Sequence, residues 1–286
     1  MSVDKLPARP DQIVFSGGGL RCFWQGGFMS VLGRERRVAP ERVCGVSGGA
    51  LSAAVFLGGR ERDLLDRMCE AFAAQDRNVD LFDAKSGRIT PHQEIYCRVV
   101  KDVLDAEAEA RVAEGPSLQI LIAHPPLAAA PALGGVAMAA AYEAELHVNG
   151  SPHFGWAEKM GLTSELVDAN QAARQGKLAD LVCAAAVIPP VFLPPDWNGR
   201  PTIDGGMADQ APMPDPDEGT TLVLLTREYP NVPDAPGRHY VVPRGETPAD
   251  KIDFTDGEKL RDTWTQGERD AEHYLAEVDR QSAATA

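Results

Sequence analysis

The chain has 286 residues, 44% of them hydrophobic, and its 28 basic and 42 acidic side chains give a formal net charge of −14. That length supports one substantial core at the size where single α/β domains stop growing, so one domain over 1–286 is expected, with a core over about 11–226 and a helical segment over about 255–280. The charge argues against a nucleic-acid partner, since phosphate neutralisation needs a basic face and no basic run is visible.

The same acidity resists docking on a strongly anionic bilayer, which leaves small or micellar substrates and peripheral membrane contact through a local basic face. Five scattered cysteines (Cys22, Cys44, Cys69, Cys97 and Cys183) form no C-x-x-C pair and have no histidine at metal-ligand spacing, so a reduced, cytoplasmic setting without metal or cofactor is expected. The N-terminal MSVDKLPARPDQ lacks the apolar region of a secretory signal. The alanine-rich stretch Pro125 to Tyr142 is broken by Pro131, Gly134 and Gly135, too weak for a membrane span.

In chain order, Gln12 to Phe15 reads as a buried strand, Ser16 to Gly19 as a turn, and Phe23, Gly27, Phe28, Val31 and Leu32 as one face of a helix ending near Arg37. Arg42 to Val46 is a second strand and Gly48 to Leu57 a second helix. Further helices are predicted at Glu61 to Ala74 and at Pro91 to Leu104, where proline suits the first helical position. Ser117 to Ala123 and Thr220 to Thr226 read as buried strands. A helix between Gly176 and Ile188 ends at Pro189-Pro190, and Asp256 to Val278 closes the chain as an amphipathic helix weakened by Gly267. Such alternation predicts an α/β fold with a sheet layered by helices.

Gly45-Val46-Ser47-Gly48-Gly49 has the form G-x-S-x-G between a predicted strand and a predicted helix, the setting of a nucleophile elbow. Glycines two before and two after the serine let strand and helix approach, and the helix N-terminus favours an anion beside it. A serine N-cap in a glycine-rich turn is the plainer reading of the same five residues. In Ser16-Gly17-Gly18-Gly19-Leu20-Arg21, three glycines let backbone N–H groups turn inward as an anion nest. A P-loop lacks its G-K-[ST], and a dinucleotide fingerprint loses its third glycine to Cys22. An oxyanion hole asks only for N–H donors near a nucleophile. Asp204-Gly205-Gly206 is by itself a common turn, but the apolar, proline-fixed run from Cys183 to Pro195 before it has the makings of an acyl-pocket wall.

These blocks resemble the patatin-like phospholipase family over nearly the whole chain: Gly17 to Arg21 as the glycine-rich loop, Gly45 to Gly49 as the elbow, Asp204 to Gly206 as D-G-G, and the P-x-x-F-x-P run of Pro189 to Pro194 ahead of it. The resemblance implies a three-layer helix/sheet/helix fold with a mostly parallel central sheet, a catalytic Ser47–Asp204 dyad, an oxyanion hole of Gly17, Gly18, Gly19 and Gly48 supported by Arg21, and hydrolysis of acyl esters in lipids. The chain departs from the family pattern at Cys22, where glycine is frequent, at Ala184 to Ala186, and at Ala211-Pro212.

Only one strand and one helix precede Ser47, which argues against the Ser-Asp-His hydrolase topology, and the late histidines His239 and His273 read as surface residues. An aspartate acting directly as base must be tuned by partial burial, because its ordinary pKa is about 3.9. Arg21 is read either as polarising the loop or meeting a head-group phosphate, or as a salt bridge that fixes the loop. The competing functions are an acyl- or anion-binding module without turnover, which Cys22 supports, and an acyltransferase using the same dyad. Met29, Trp24, Phe23 and Trp156 are candidates for an apolar docking edge or for core packing.

Overall fold

The computed structural model describes residues 6–74, 91–126, 150–189, 193–251 and 256–284. Most of the alanine-rich stretch before Tyr142, and residues 190–192 of the proline-fixed wall, lie outside them.

The first apolar run forms strand β1 (Gln12–Phe15), buried at all four positions. A 3-10 turn over Gly19–Cys22 leads into helix α1 (Phe23–Arg36), which stops where Arg37 enters left-handed backbone at φ 49°. Strand β2 (Arg42–Val46), helix α2 (Gly48–Gly58) and helix α3 (Glu61–Ala73) follow, with a left-handed Gly59 at φ 65° reversing the chain between the helices. Helices α4 (Pro91–Val103) and α5 (Ala106–Glu114) precede strand β3 (Ser117–His124). The short α5 was not separated by periodicity, yet it carries a clear start: the Asp105 carboxylate accepts from the Ala108 amide at 2.8 Å.

Helix α6 (Trp156–Lys159) and strand β4 (Thr163–Asp168) come next, then helices α7 (Ala169–Arg174) and α8 (Leu178–Ala185). The small strands β5 (Asp196–Trp197) and β6 (Arg200–Pro201) pair with each other, and β7 (Ile203–Asp204) joins the main sheet. Strands β8 (Thr221–Leu224) and β9 (Arg238–Val241) lead to helix α9 (Gly257–Ala283), which Asp256 caps through the amides of Glu258 and Lys259. It runs five residues past the predicted end at Val278.

The sheet has the order β4-β3-β2-β1-β8-β9, with β7 also pairing with β3. All pairs from β3 through β9 along this order are parallel, while β4 and β7 run antiparallel to β3. The result is the expected mostly parallel central sheet flanked by helices. Alternation divides its faces. Ile13, Phe15, Val43, Ile120 and Leu222 join the main helical core, whereas Val14, Cys44 and Val223 meet Ala211, Leu225 and Tyr229 on the other side. Phe23, Trp24 and Met29 belong to the core and form no docking edge; Trp156 is 36% exposed. No helix among the described residues is long and apolar enough to cross a membrane.

The tightest helix packing is between α1 and α9. A Cβ on Gly27 would lie 2.0 Å from the Trp264 carbonyl oxygen, and one on Gly267 would lie 2.1 Å from that of Trp24. Gly267 is therefore a crossing point, and its weak helix propensity is offset by the approach it permits. The buried Trp24 Nε1 donates to Asp270 Oδ2 at 2.7 Å beside it. Alanine inside a helix normally gains about 0.5–1 kcal/mol over glycine. Here Gly267→Ala drives a methyl into rigid backbone and is expected to lose about 1–3 kcal/mol, read by urea unfolding. A gain would show that the crossing does not depend on this contact.

Candidate active site

The site is assembled by a handover in the sheet. Strand β2 pairs with β3 as far as Val46 opposite Leu121, and the next two residues of β3, Ile122 and Ala123, pair instead with Asp204 and Ile203 of β7. Ser47 turns out of the sheet at the carboxyl end of β2, and Asp204 occupies the position beside β3 that β2 has vacated. The Asp204 amide is fixed by the Val187 carbonyl at 2.8 Å.

Ser47 lies at φ 56° and ψ −133°, a region that L-residues rarely adopt and that costs about 1–3 kcal/mol. Close packing around it holds the turn in place. A Cβ on Gly49 would lie 2.3 Å from the Phe15 carbonyl oxygen, and one on Gly45 would lie 2.8 Å from Ala50 Cα. The strand end, the serine and the start of α2 are locked together, as a nucleophile elbow requires.

The Ser47 hydroxyl donates to Asp204 Oδ2 at 2.5 Å, and both residues are buried. The other carboxyl oxygen, Oδ1, accepts from the Gly206 amide at 2.7 Å. Burial pushes the Asp204 carboxyl up to about 6, although the hydrogen bonds from Ser47 and Gly206 and the charge of Lys251 act in the opposite direction. Gly205 is fixed by space, since its Cβ would meet the Leu121 carbonyl oxygen at 2.3 Å.

The glycine loop stands beside this pair. Its first glycine departs from the expected role: the Gly17 amide donates to the Gln210 carbonyl at 2.9 Å and the Gly17 carbonyl accepts from Thr226 Oγ1 at 2.8 Å. That amide is already satisfied, and Gly17 serves to bring the loop within 3.3 Å of Ser47 Cβ, measured from where its own Cβ would be. The amides of Gly18, Gly19 and Gly48 have no acceptor among the described residues. The backbone carbonyl of Lys251 holds the Leu20 amide at 3.2 Å and fixes the far side of the loop. Cys22 has ordinary right-handed backbone, φ −64° and ψ −14°, so this position needs no glycine. Arg21 is partly buried and makes no ion pair among the described residues.

A cavity of about 240 Å³ adjoins Ser47. Along α2 it is lined by Gly48, Leu51, Ser52 and Val55, the i, i+3, i+4, i+7 stripe of one helix face. Phe23, Leu64, Met68, Trp264 and Ile188 complete most of its apolar wall.

No histidine hydrogen-bonds to Ser47 or Asp204 among the described residues. His239 is buried, at 8% exposure, contrary to the surface position expected for it, because it sits beside Leu222 of β8 on the face of the sheet that carries the main core. It stands three strands from β2, about 14 Å at ordinary strand spacing. His273 is exposed and bonds the Arg269 carbonyl. Three supporting residues were not picked out from the sequence: Gln210, Thr226 and Lys251. Thr226 had a usable signal, because it follows a parallel strand at the carboxyl edge where α/β sheets place their ligands. Gln210 and Lys251 carry no such mark.

Comparison with known proteins gives a family match and a structural one. The model of the patatin-like phospholipase family matches residues 13–216. No curated protein matches the chain in sequence. Among solved structures, the crystal structure of VipD from Legionella pneumophila is similar in fold, with a TM-score of 0.52 at 12% identity, over 95% of this chain and 67% of that one. The family match takes in the glycine loop, the serine turn and the aspartate strand together, and on that ground the chain belongs to the patatin-like phospholipase family, a family of lipid acyl hydrolases.

Proposed function

We propose that the protein hydrolyses acyl esters of lipids with Ser47 as nucleophile and Asp204 as its base. The observation that carries this reading is the 2.5 Å hydrogen bond between the two side chains, made in a buried site beside an apolar cavity that Ser47 helps to line. Ser47 Oγ attacks the ester carbonyl carbon while its proton passes to Asp204. The carbonyl oxygen takes up the negative charge and is held by the amides of Gly18, Gly19 and Gly48, the last at the positive end of α2. Asp204 then gives the proton to the departing alcohol, leaving an acyl-serine. Water, deprotonated by the same carboxylate, releases the acid and restores the hydroxyl.

Arg21 lies next to the loop with its charge unpaired among the described residues, which favours contact with a head-group phosphate over a loop-fixing salt bridge. The competing reading, an acyl-binding module without turnover, leaned on Cys22. The relaxed backbone there removes that support.

With p-nitrophenyl butyrate as substrate, Ser47→Ala is expected to fall to background and Asp204→Ala to lose about 10²–10⁴-fold in kcat/KM. Substantial turnover in either variant would reject the dyad. Asp204 accepts a proton only when ionised, so kcat/KM is expected to be level above about pH 6 and to fall about tenfold per pH unit below it. A profile that stays level down to pH 4 would exclude Asp204 as the base.

The raised pKa also links to stability. The native state holds this proton more tightly than the unfolded chain, so the group favours the fold at low pH and that contribution is lost as pH rises through about 6. The change from 3.8 to about 6 corresponds to about 3 kcal/mol. Asp204→Asn, which does not ionise, is expected to melt above the wild type at pH 8 and to lose that advantage near pH 4. An unchanged melting difference across this range would show that burial does not set the carboxyl's pKa.

A further inference from the structure

Glu61 is the only acid among the described residues lining the cavity, and the path of the chain sets it toward the end of α2 remote from Ser47. Helix α2 rises about 1.5 Å per residue, so Val55 lies about 10 Å from Gly48 along the lined stripe. The chain then reverses at Gly59, and the Arg60 amide returns to the Val55 carbonyl at 2.9 Å. Glu61 follows at once as the first residue of α3, with Leu64 and Met68 carrying the lining along that helix.

The carboxyl has no counter-ion among the described residues. The arginines on either side of it in sequence are engaged elsewhere: Arg60 with Glu107 at 2.7 Å and Asp105 at 3.1 Å, and Arg62 with Glu268 at 3.0 Å. The Arg62 guanidinium also lies 4.8 Å over the ring of Trp264, another wall of the cavity. Burial pushes the Glu61 carboxyl above its ordinary value, which its own backbone amide only partly counters.

From this placement we infer that Glu61 sets the upper limit on the acyl chains the cavity accepts, selecting those that end before they reach its carboxyl. The inference rests on the reading of Ser47 as nucleophile, which fixes the carbonyl end of the chain. A chain that stops short leaves room for water around the carboxyl. A longer one brings a methyl group against it, displacing water and offering no hydrogen bond in return. Glu61 also sits in the first turn of α3, where an acid suits the helix dipole. That role alone affects stability and leaves chain-length preference untouched.

The test compares wild type, Glu61→Leu and Glu61→Gln in kcat/KM on the p-nitrophenyl esters of butyrate, octanoate, laurate and palmitate, with melting curves for each protein. Wild type is expected to decline between octanoate and laurate. The laurate-to-octanoate ratio is expected to rise at least about tenfold in Glu61→Leu, and less in Glu61→Gln. An unmoved ratio in both variants overturns the inference, and if the leucine variant does not fold the near-isosteric glutamine variant decides. Calorimetric titration of methyl octanoate and methyl laurate into Ser47→Ala, with and without Glu61→Leu, reads the same preference without turnover. A shift toward laurate there, in a protein whose wild type is no esterase, rejects the dyad and keeps the chain limit. Normal esterase activity with no shift does the reverse.

Discussion

A carboxyl group held out of water against a serine hydroxyl is the constraint around which this molecule is arranged. Burial alone destabilises the charged carboxylate, and the two hydrogen bonds it accepts, from Ser47 at 2.5 Å and Gly206 at 2.7 Å, only partly restore it. The balance leaves a group that titrates at about 6, basic enough to take a proton near neutrality and still ionised there. Neither a fully solvated aspartate nor one saturated with donors has that property. The hydrogen-bond count at Asp204 therefore helps to set its basicity, and Gly206 contributes to it through its backbone N–H.

That arrangement depends on the sheet more than on any loop. Ser47 leaves β2 where Asp204 enters beside β3, so the two residues meet because one strand ends and another begins in the same lane. The partner lies 157 positions away in the chain, and the ladder sets its position to within a residue. Strain at Ser47 is sustained by the same close packing: Gly49 touches the end of β1, Gly205 touches β3, and a side chain at either place would push the elements apart. Rigid strands hold Ser47 and Asp204 while the glycine loop supplies the free amides, the division of labour that the proposed oxyanion site requires.

Legibility in the sequence follows the same physics. Strands β1, β2 and β3 are dense apolar runs bounded by turn residues, and each was readable to within a residue. Strand β4, Thr-Ser-Glu-Leu-Val-Asp, is a largely exposed sheet edge with no apolar run, and only its pairing with β3 makes it a strand. Glycine motifs announced the loop, the elbow and the D-G-G turn, because a backbone approach below about 3 Å admits no other residue and so leaves a mark in composition. Side-chain support leaves no such mark. Gln210 and Lys251 act through tertiary contacts with distant residues, and a lone glutamine or lysine has many uses. The Gly17 amide is hidden for a related reason: three consecutive glycines predict a nest, but which of their N–H groups stay free depends on distant acceptors such as the Gln210 carbonyl.

Three acids, two buried and one partly buried, show how the company of a carboxyl decides its use. Asp270 accepts from the Trp24 indole at 2.7 Å and the Arg244 amide at 3.1 Å, and neither donor is reactive, so it acts as a brace between α1 and α9. Asp204 accepts from one fixed amide and one hydroxyl able to give up its proton, the setting that its proposed role as a base requires. Glu61 faces the cavity with neither arginine neighbour turned to it and only its own backbone amide in support, so any further partner comes from what fills the cavity. In an apolar channel that partner is water, and water remains only while the bound chain is short. A polar end wall thus discriminates by length where an apolar one, gaining about 0.8 kcal/mol for each further methylene buried, rewards every extension.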